Sequence, residues 1–389
     1  MIEQVDIKQF KAIQSASLRF TELTAFIGNN GSGKSSVIEA LQTLQQALRE
    51  GLSAAFNQRW LGLENLRNIH SPAPRVEGAR LFSQSLEIKV QGRWAKKSFC
   101  YEAHFNTLAS GDLYVVPYES LLVDGASIFT TNVVDESGQA EVLVGPRATP
   151  TDEPFLATEL LLADEEWQEE YPDLKAVFDF IAAWQFVVLS PEKLYFPSPR
   201  DYSRVAIRLS PGGENLADFF SRTLDDTEVV ERILEKMRYV LPDLDFIGRE
   251  EIQVQKQIYL FLQELQTERS LPSWLFSSGT LRILALLTLL NQQEVPPVVF
   301  IEEVENGLDP RTLNLLVEEF RSLVPEHQFV VTTHSPYFLD LVDLSHVVVT
   351  QRQGGKTTYH RPDDDARLDA WRKKFSPGRL YTMNKLERP

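Results

Sequence analysis

One octapeptide constrains this chain more than any other feature: Gly28-Asn29-Asn30-Gly31-Ser32-Gly33-Lys34-Ser35, which satisfies G-x-x-x-x-G-K-[ST]. Its flanks agree with it. An apolar strand, Thr24 to Ile27, ends just before the first glycine. A helix is expected over Ser35 to Arg49, with Val37, Ile38, Leu41, Leu44 and Leu48 recurring on one face. Glycines let backbone N–H groups turn inward around a phosphate, and a helix N-terminus adds positive potential there. Lys34 is expected to reach the β- and γ-phosphates of ATP, and the Ser35 hydroxyl to hold Mg²⁺. Gly28, Asn29, Asn30, Gly31, Ser32, Gly33, Lys34, Ser35 and the adjoining Ser36 are therefore candidate nucleotide-binding residues. A glycine-rich turn carrying a chance lysine is the competing reading, and the matching strand and helix argue against it.

A second chemical feature lies far downstream. Pro297-Val298-Val299-Phe300-Ile301 is a continuous apolar run, as expected for a central parallel strand, and it ends in Glu302-Glu303. Two acids at the tip of a buried strand are costly unless water, a metal or donors meet them. In a nucleotide site Glu302 would bind Mg²⁺ and Glu303 would polarise the attacking water. Alone, the pair reads equally as solvated acids at the start of a loop.

Between these points the pattern changes twice. Ile2, Val5 and Ile7 mark a first strand, with another over Ser17 to Phe20. From about Leu86 to Val144 short strands are expected: Leu86 to Val90, Tyr114 to Val116 and Leu121 to Val123, with turns at Gly111-Asp112 and Asp124-Gly125. Phe155 to Leu241 is mostly helical in pattern. Its clearest helix runs from Glu228 to Leu241, ahead of Pro242, and a pair of strands near Phe246 to Val254 and Gln257 to Leu265 follows. The final third alternates strand and helix: Val298 to Ile301, Thr312 to Leu323, Phe329 to Thr333 and Val347 to Thr350, implying a parallel sheet covered by helices. The expected division is 1–150, an ATPase lobe with the phosphate loop and an antiparallel layer; 151–270, a mostly helical insertion; and 271–389, a second ATPase lobe.

The formal charge of −16 opposes indiscriminate binding to nucleic acid. The end of the chain departs from that balance: Arg367, Arg372, Lys373, Lys374, Arg379, Lys385 and Arg388 face only Asp369 and Glu387. Such a segment is either a DNA or acidic-partner contact or a terminal helix with a solvated basic face. The single cysteine, Cys100, excludes an internal disulfide, fits a reducing cytoplasmic setting, and reads as a small apolar residue. No uncharged apolar stretch of about 18 residues suggests a membrane span.

The motif set resembles an ATP-binding-cassette head of the SMC/RecF-like kind, among AAA-type ATPases related to the OLD family. Ile7-Lys8-Gln9-Phe10-Lys11 resembles the opening strand of such heads, and G-N-N-G-S-G-K-S is the family's phosphate-loop form. Ser277-Ser278-Gly279-Thr280-Leu281-Arg282 resembles its signature, S-x-G-x-x-R. Ile301 to Pro310 resembles its Walker B and D-loop, with Glu302 where aspartate is commoner and Val304 for a frequent proline. Thr332-Thr333-His334-Ser335-Pro336 resembles its histidine switch. The resemblance implies an α/β P-loop NTPase of ABC/SMC-like type, with a mixed sheet, an antiparallel β layer and a helical insertion. It implies that His334 contacts the γ-phosphate or the attacking water, and that Ser278, Gly279 and the D-loop residue Asp309 approach nucleotide in a paired head. Ser278 is expected to cap the following apolar helix. Lys11 is either a phosphate-approaching base or a solvated lysine, and Gln84 is offered for the Q-loop glutamine. The other histidines show no metal-ligand spacing.

The functional expectation is a Mg²⁺-dependent ATPase that dimerises head-to-head around ATP and controls DNA processing or a separate effector or nuclease, as in bacterial anti-phage systems. About 55 residues follow His334, too few for the nuclease domain of OLD-type proteins. A transporter motor subunit is the first alternative; the signature differs from L-S-G-G-Q, and about 270 residues separate phosphate loop and Walker B, long for that class. A small-molecule P-loop kinase is the second, against which the histidine switch and signature count.

Overall fold

Alternation of buried and half-exposed residues from Leu86 to Gly92 marks Leu86–Trp94 as a strand with one face in a core and one in solvent. The computed structural model describes all residues except 72–74, 78–79, 83, 108–112, 134–138, 148, 151–154, 203–206 and 388–389. It divides into two compact units, Met1–Trp184 with Val348–Pro362, and Gln185–Val347 with Asp363–Pro389.

In the first unit an antiparallel sheet runs from Ile13–Arg19 through Ile2–Phe10, Leu86–Trp94, Lys97–Thr107, Tyr114–Val123 and Ala126–Val133 to Gln139–Val144. Its inner face is aromatic: Tyr101, Phe105 and Phe129 are essentially fully buried. The strand Leu23–Ile27 is buried at every position and delivers the chain to the phosphate loop. The helix Lys34–Glu50 follows and stops at Gly51. Val347–Gln353 and Lys356–His360 pair antiparallel through Gly354 and Gly355, both at positive φ.

The first unit also corrects the sequence reading. Tyr114 to Val123 is one strand, not two, and it runs through Pro117. The proline has no N–H to give; the pairing with Lys97–Thr107 shifts register between His104 and Asn106, and the Val116 N–H turns away to Ala157 O at 2.6 Å. Lys97–Thr107 itself was not expected, and the second strand begins at Ile13 rather than Ser17. The expected turn at Asp124-Gly125 forms, with φ values of 47° and 79°; that at Gly111-Asp112 lies outside the described residues.

In the second unit Gln185–Val187, Val298–Ile301 and Gln328–Thr333 pair in parallel, with Val298–Ile301 central and fully buried. The helix Ser278–Asn291 is buried on all faces from Thr280 onward, as its nearly uniform apolar sequence demands. Thr227–Val240 is capped by Asp226, which accepts from the Glu228 and Val229 N–H groups, each at 3.1 Å. Leu244–Ile252 and Gln257–Glu264 form the expected antiparallel pair. The basic end of the chain is not one helix but two short ones, Asp369–Arg372 and Pro377–Thr382; Lys373, Lys374, Arg379 and Lys385 are exposed, and Arg388 lies outside the described residues. Among the described residues no helix is long and apolar enough to cross a membrane.

Candidate functional site

The phosphate loop is shaped by close approach. A Cβ on Gly28 would lie 2.1 Å from Thr350 O, so only glycine fits. Gly31 and Gly33 sit at φ 72° and 106°, left-handed backbone that turns the chain back before the helix begins at Lys34. The Tyr359 hydroxyl donates to Gly33 O at 2.8 Å, and its burial pushes its pKa up, which keeps it a donor. The buried Lys34 ammonium donates to Gly28 O at 2.8 Å and Asn29 O at 3.1 Å. The Ser32 hydroxyl is buried without a partner among the described residues, as are those of Thr350 and Thr357. Asn29, Asn30 and Gly31 are exposed, Ser35 half-exposed and Ser36 buried.

Lys11 is half-buried. Its ammonium meets Glu39 of the loop helix at 2.6 Å and lies 4.7 Å from the Trp60 ring centroid, with Arg59 on the same ring at 4.6 Å. Gln84 has an exposed side chain that accepts from Gln9.

In the second unit the acidic pair stands where the central strand ends. Glu302 continues the chain with its N–H on Val187 O at 2.9 Å, and its side chain is half-buried. Glu303 is exposed and adopts φ 49°, uncommon for a side-chain-bearing residue. Three hydrogen bonds hold that backbone: its N–H donates to Thr332 Oγ1 at 2.9 Å, and its carbonyl accepts from Asn306 N at 3.0 Å and from Arg282 at 2.6 Å. Asn306 also donates to the Glu303 carboxylate.

Arg282 binds the signature helix to this turn. Besides Glu303 O, its guanidinium reaches Glu302 O at 3.0 Å and Leu189 O at 3.1 Å. Burial pushes its pKa down, opposed by the charges of Glu303 and Glu305. The cap of this helix is Ser277, not Ser278: Ser277 has extended backbone and its hydroxyl accepts from Thr280 N at 3.0 Å, leaving Ser278 as the first helical residue. A Cβ on Gly279 would lie 2.2 Å from Gly307 O, so signature and D-loop pack backbone to backbone. Asp309 caps Pro310–Leu323, accepting from Arg311 N at 2.8 Å, Thr312 N at 3.2 Å and the Thr312 hydroxyl at 2.6 Å. The Thr312 hydroxyl leads in holding its carboxyl below the usual range.

His334 follows the strand Gln328–Thr333 directly and is half-buried. Its N–H donates to Glu305 Oε1 at 2.5 Å. The Thr333 hydroxyl donates to Glu305 Oε2 at 2.8 Å and accepts from Ser335 N at 3.0 Å.

A family model described as "AAA ATPase domain" matches residues 1–102, and one described as "AAA domain, putative AbiEii toxin, Type IV TA system" matches residues 160–340. The protein named "Retron Vc95 probable ATPase", from Vibrio cholerae serotype O1 biovar El Tor, is 22% identical over 386 residues, spanning 88% of this chain and 71% of the relative. The crystal structure of an SMC head bound to the C-winged helix domain of ScpA shares the fold, with a TM-score of 0.56 at 15% identity over 96% of this chain and 99% of that one. Its two AAA-domain matches make this chain an ATPase, and its fold is that of an SMC head. In this ATPase the sequence motifs located the loop, the acids and the histidine. They did not reveal Arg282 as a brace, Thr332 as the partner of Glu303, or Glu305 as the partner of His334. Each of those contacts joins residues some 20 to 30 positions apart, which helix packing brings together for Arg282 and strand pairing for the other two. Nor did histidine spacing reveal the cluster of Glu87, Glu102 and His104, which cross-strand pairing assembles. Lys8 and Lys89 already hold its carboxylates, at 2.7 Å and 3.0 Å.

Proposed function

We propose that this ATPase is a switch: it binds ATP with Mg²⁺, closes head-to-head as a homodimer around the nucleotide, and thereby controls a separate effector in a defence-type system. The observation that carries the reading is the phosphate loop. Its lysine ammonium rests on the loop's own carbonyls, and the Ser32 hydroxyl of the same loop is buried without a partner among the described residues. These are groups whose hydrogen bonds a polyphosphate would complete. Lys34 supplies charge to the β- and γ-phosphates, and the N–H groups of residues 31–35 surround them. Ser35 and Glu302 would hold Mg²⁺, which when bound neutralises phosphate charge. Glu303 takes the proton of the attacking water, and His334 steadies the γ-phosphate. Lys11, paired with Glu39, acts on the loop helix and through it on the nucleotide.

The signature supports pairing. Ser278 and Gly279 form the N-terminal turn of a fourteen-residue buried helix, an anion-favouring end. Asp309 gives its carboxylate to its own helix, so in this reading it shapes the D-loop rather than binding nucleotide directly. The names of the relatives, a retron ATPase and an AAA domain of a toxin family, support a role beside other components. DNA is a candidate partner through the exposed Lys373 and Lys374.

The test is assembly. Glu303→Gln keeps ATP binding and slows hydrolysis, because an amide is no base. ATP should then drive it into dimers, seen by light scattering, and Ser278→Arg should block them. A Glu303→Gln protein whose mass ignores ATP sinks the sandwich. For a constitutive dimer, ATP-dependent cross-linking near Ser278 replaces the mass readout.

A further inference from the structure

The parallel ladder between Val298–Ile301 and Gln328–Thr333 ends at the pair Ile301 and Val331. The two chains stay joined beyond it. The Glu303 N–H donates to Thr332 Oγ1, and the Val304 N–H to Thr332 O at 3.1 Å. The last link is a carboxylate. Glu305 Oε1 accepts the His334 N–H at 2.5 Å, and Glu305 Oε2 accepts the Thr333 hydroxyl, which in turn accepts the Ser335 N–H. One side chain thus fixes the peptide N–H groups on both sides of the His334 Cα, directly on one side and through Thr333 on the other.

We propose that Glu305 is a positioning residue for His334: its carboxylate sets the backbone from which the histidine meets its target. The inference rests on the reading of His334 as a phosphate-facing group. The bonds are short and charge-assisted, the kind that fixes geometry. Glu305 is only two residues beyond Glu303, and Val304 between them is fully buried and so anchored. The acid proposed to take the water proton and the histidine proposed to face the phosphate are therefore registered to one another through a single short turn. A carboxylate that served only to close the strand end would leave the kinetics of the folded enzyme alone. One that positions His334 must act through it.

Steady-state ATPase measurements on the full chain decide between these. Glu305→Ala should lower kcat by on the order of 10–100-fold, as small misplacement of a reacting group does, with little change in KM. Glu305→Gln should recover most of the rate, since its amide oxygen accepts from His334 N–H and its NH₂ donates to Thr333 Oγ1. The double variant Glu305→Ala/His334→Ala should be no slower than His334→Ala, because both changes remove the same contribution. Losses that multiply, or a Glu305→Ala enzyme with the parent kcat, overturn the proposal. A parent-like His334→Ala overturns it from beneath, by removing the histidine reading itself. If Glu305→Ala does not fold, Thr333→Val removes only the Ser335 arm; a partial loss, again vanishing on the His334→Ala background, is expected, and parent-like turnover refutes.

Discussion

Arg282→Met separates holding the fold from holding the chemistry. The guanidinium gives hydrogen bonds to three backbone carbonyls, Leu189 O, Glu302 O and Glu303 O. A bond from a charged donor is worth about 1.5–3 kcal/mol. The sum is not lost in full, because the arginine is buried, its Nε has no partner among the described residues, and methionine fills the stem's volume without a charge to desolvate. A net destabilisation of about 1–3 kcal/mol remains. The local effect is sharper. Holding Glu303 at φ 49° costs on the order of 1–3 kcal/mol, and Arg282 supplies the shortest of its three backbone bonds. Removing about 1.4 kcal/mol of that restraint makes the strained conformer tenfold rarer. We therefore expect kcat to fall by about tenfold in a protein that still folds, with ATP affinity little changed. Phosphate release under saturating ATP, beside a thermal melt and a nucleotide titration, measures all three. Turnover within about twofold of the parent, in a variant whose melt shows the brace is gone, would refute the link between Arg282 and the geometry of Glu303.

Three further outcomes are expected. Lys34→Ala should abolish ATP binding or turnover, because no neighbour replaces its charge at that spacing; a folded variant with parent activity removes the central reading. Gly279→Ala places a methyl 2.2 Å from Gly307 O; overpacking of this kind costs about 1–3 kcal/mol, and the melt should fall together with ATP-dependent dimerisation, so an unchanged melt counts against the backbone contact. Glu119 is fully buried, and desolvation pushes its pKa up from 4.5 to about 7. Folded protein then binds its proton more tightly than unfolded protein, so this contribution is full at low pH and fades as pH rises to about 7, by about 3 kcal/mol. Glu119→Gln should flatten that window; equal pH dependence of the two melts between pH 5 and 8 would falsify the assignment.

The fold was legible where a segment is buried on all sides or carries its own punctuation. Val298 to Ile301 can only be a central strand, and the helix before Pro242 has its cap, Asp226, in plain view. The antiparallel layer was harder because its evidence is shared between strands. Pro117 reads as a break, yet the neighbouring strand absorbs it with a register shift, and nothing within Tyr114–Val123 announces that its partner will yield. Lys97–Thr107 does alternate, with Phe99, Tyr101, Ala103 and Phe105 all facing inward. Its ends are charged and polar, so its extent emerges only once both neighbours have paired with it.

At the site, residue types were readable and duties were not. Two adjacent serines precede the signature glycine, and either could cap the helix by composition alone. The backbone decides: Ser277 is extended and spends its hydroxyl on Thr280 N, while Ser278 is already helical. The correction strengthens the functional reading. A capping serine has its oxygen committed to its own helix and is poorly placed to meet an outside group. With Ser277 in that duty, the Ser278 hydroxyl is not needed for the cap. It stands at the N-terminal turn, beside a Gly279 that only glycine can be, where an anion from a second head would find both a donor and the positive end of the helix. In the proposed paired head the sequence S-S-G would divide its labour: the first serine builds the helix end, the second would address the ligand, and the glycine lets the D-loop close against them.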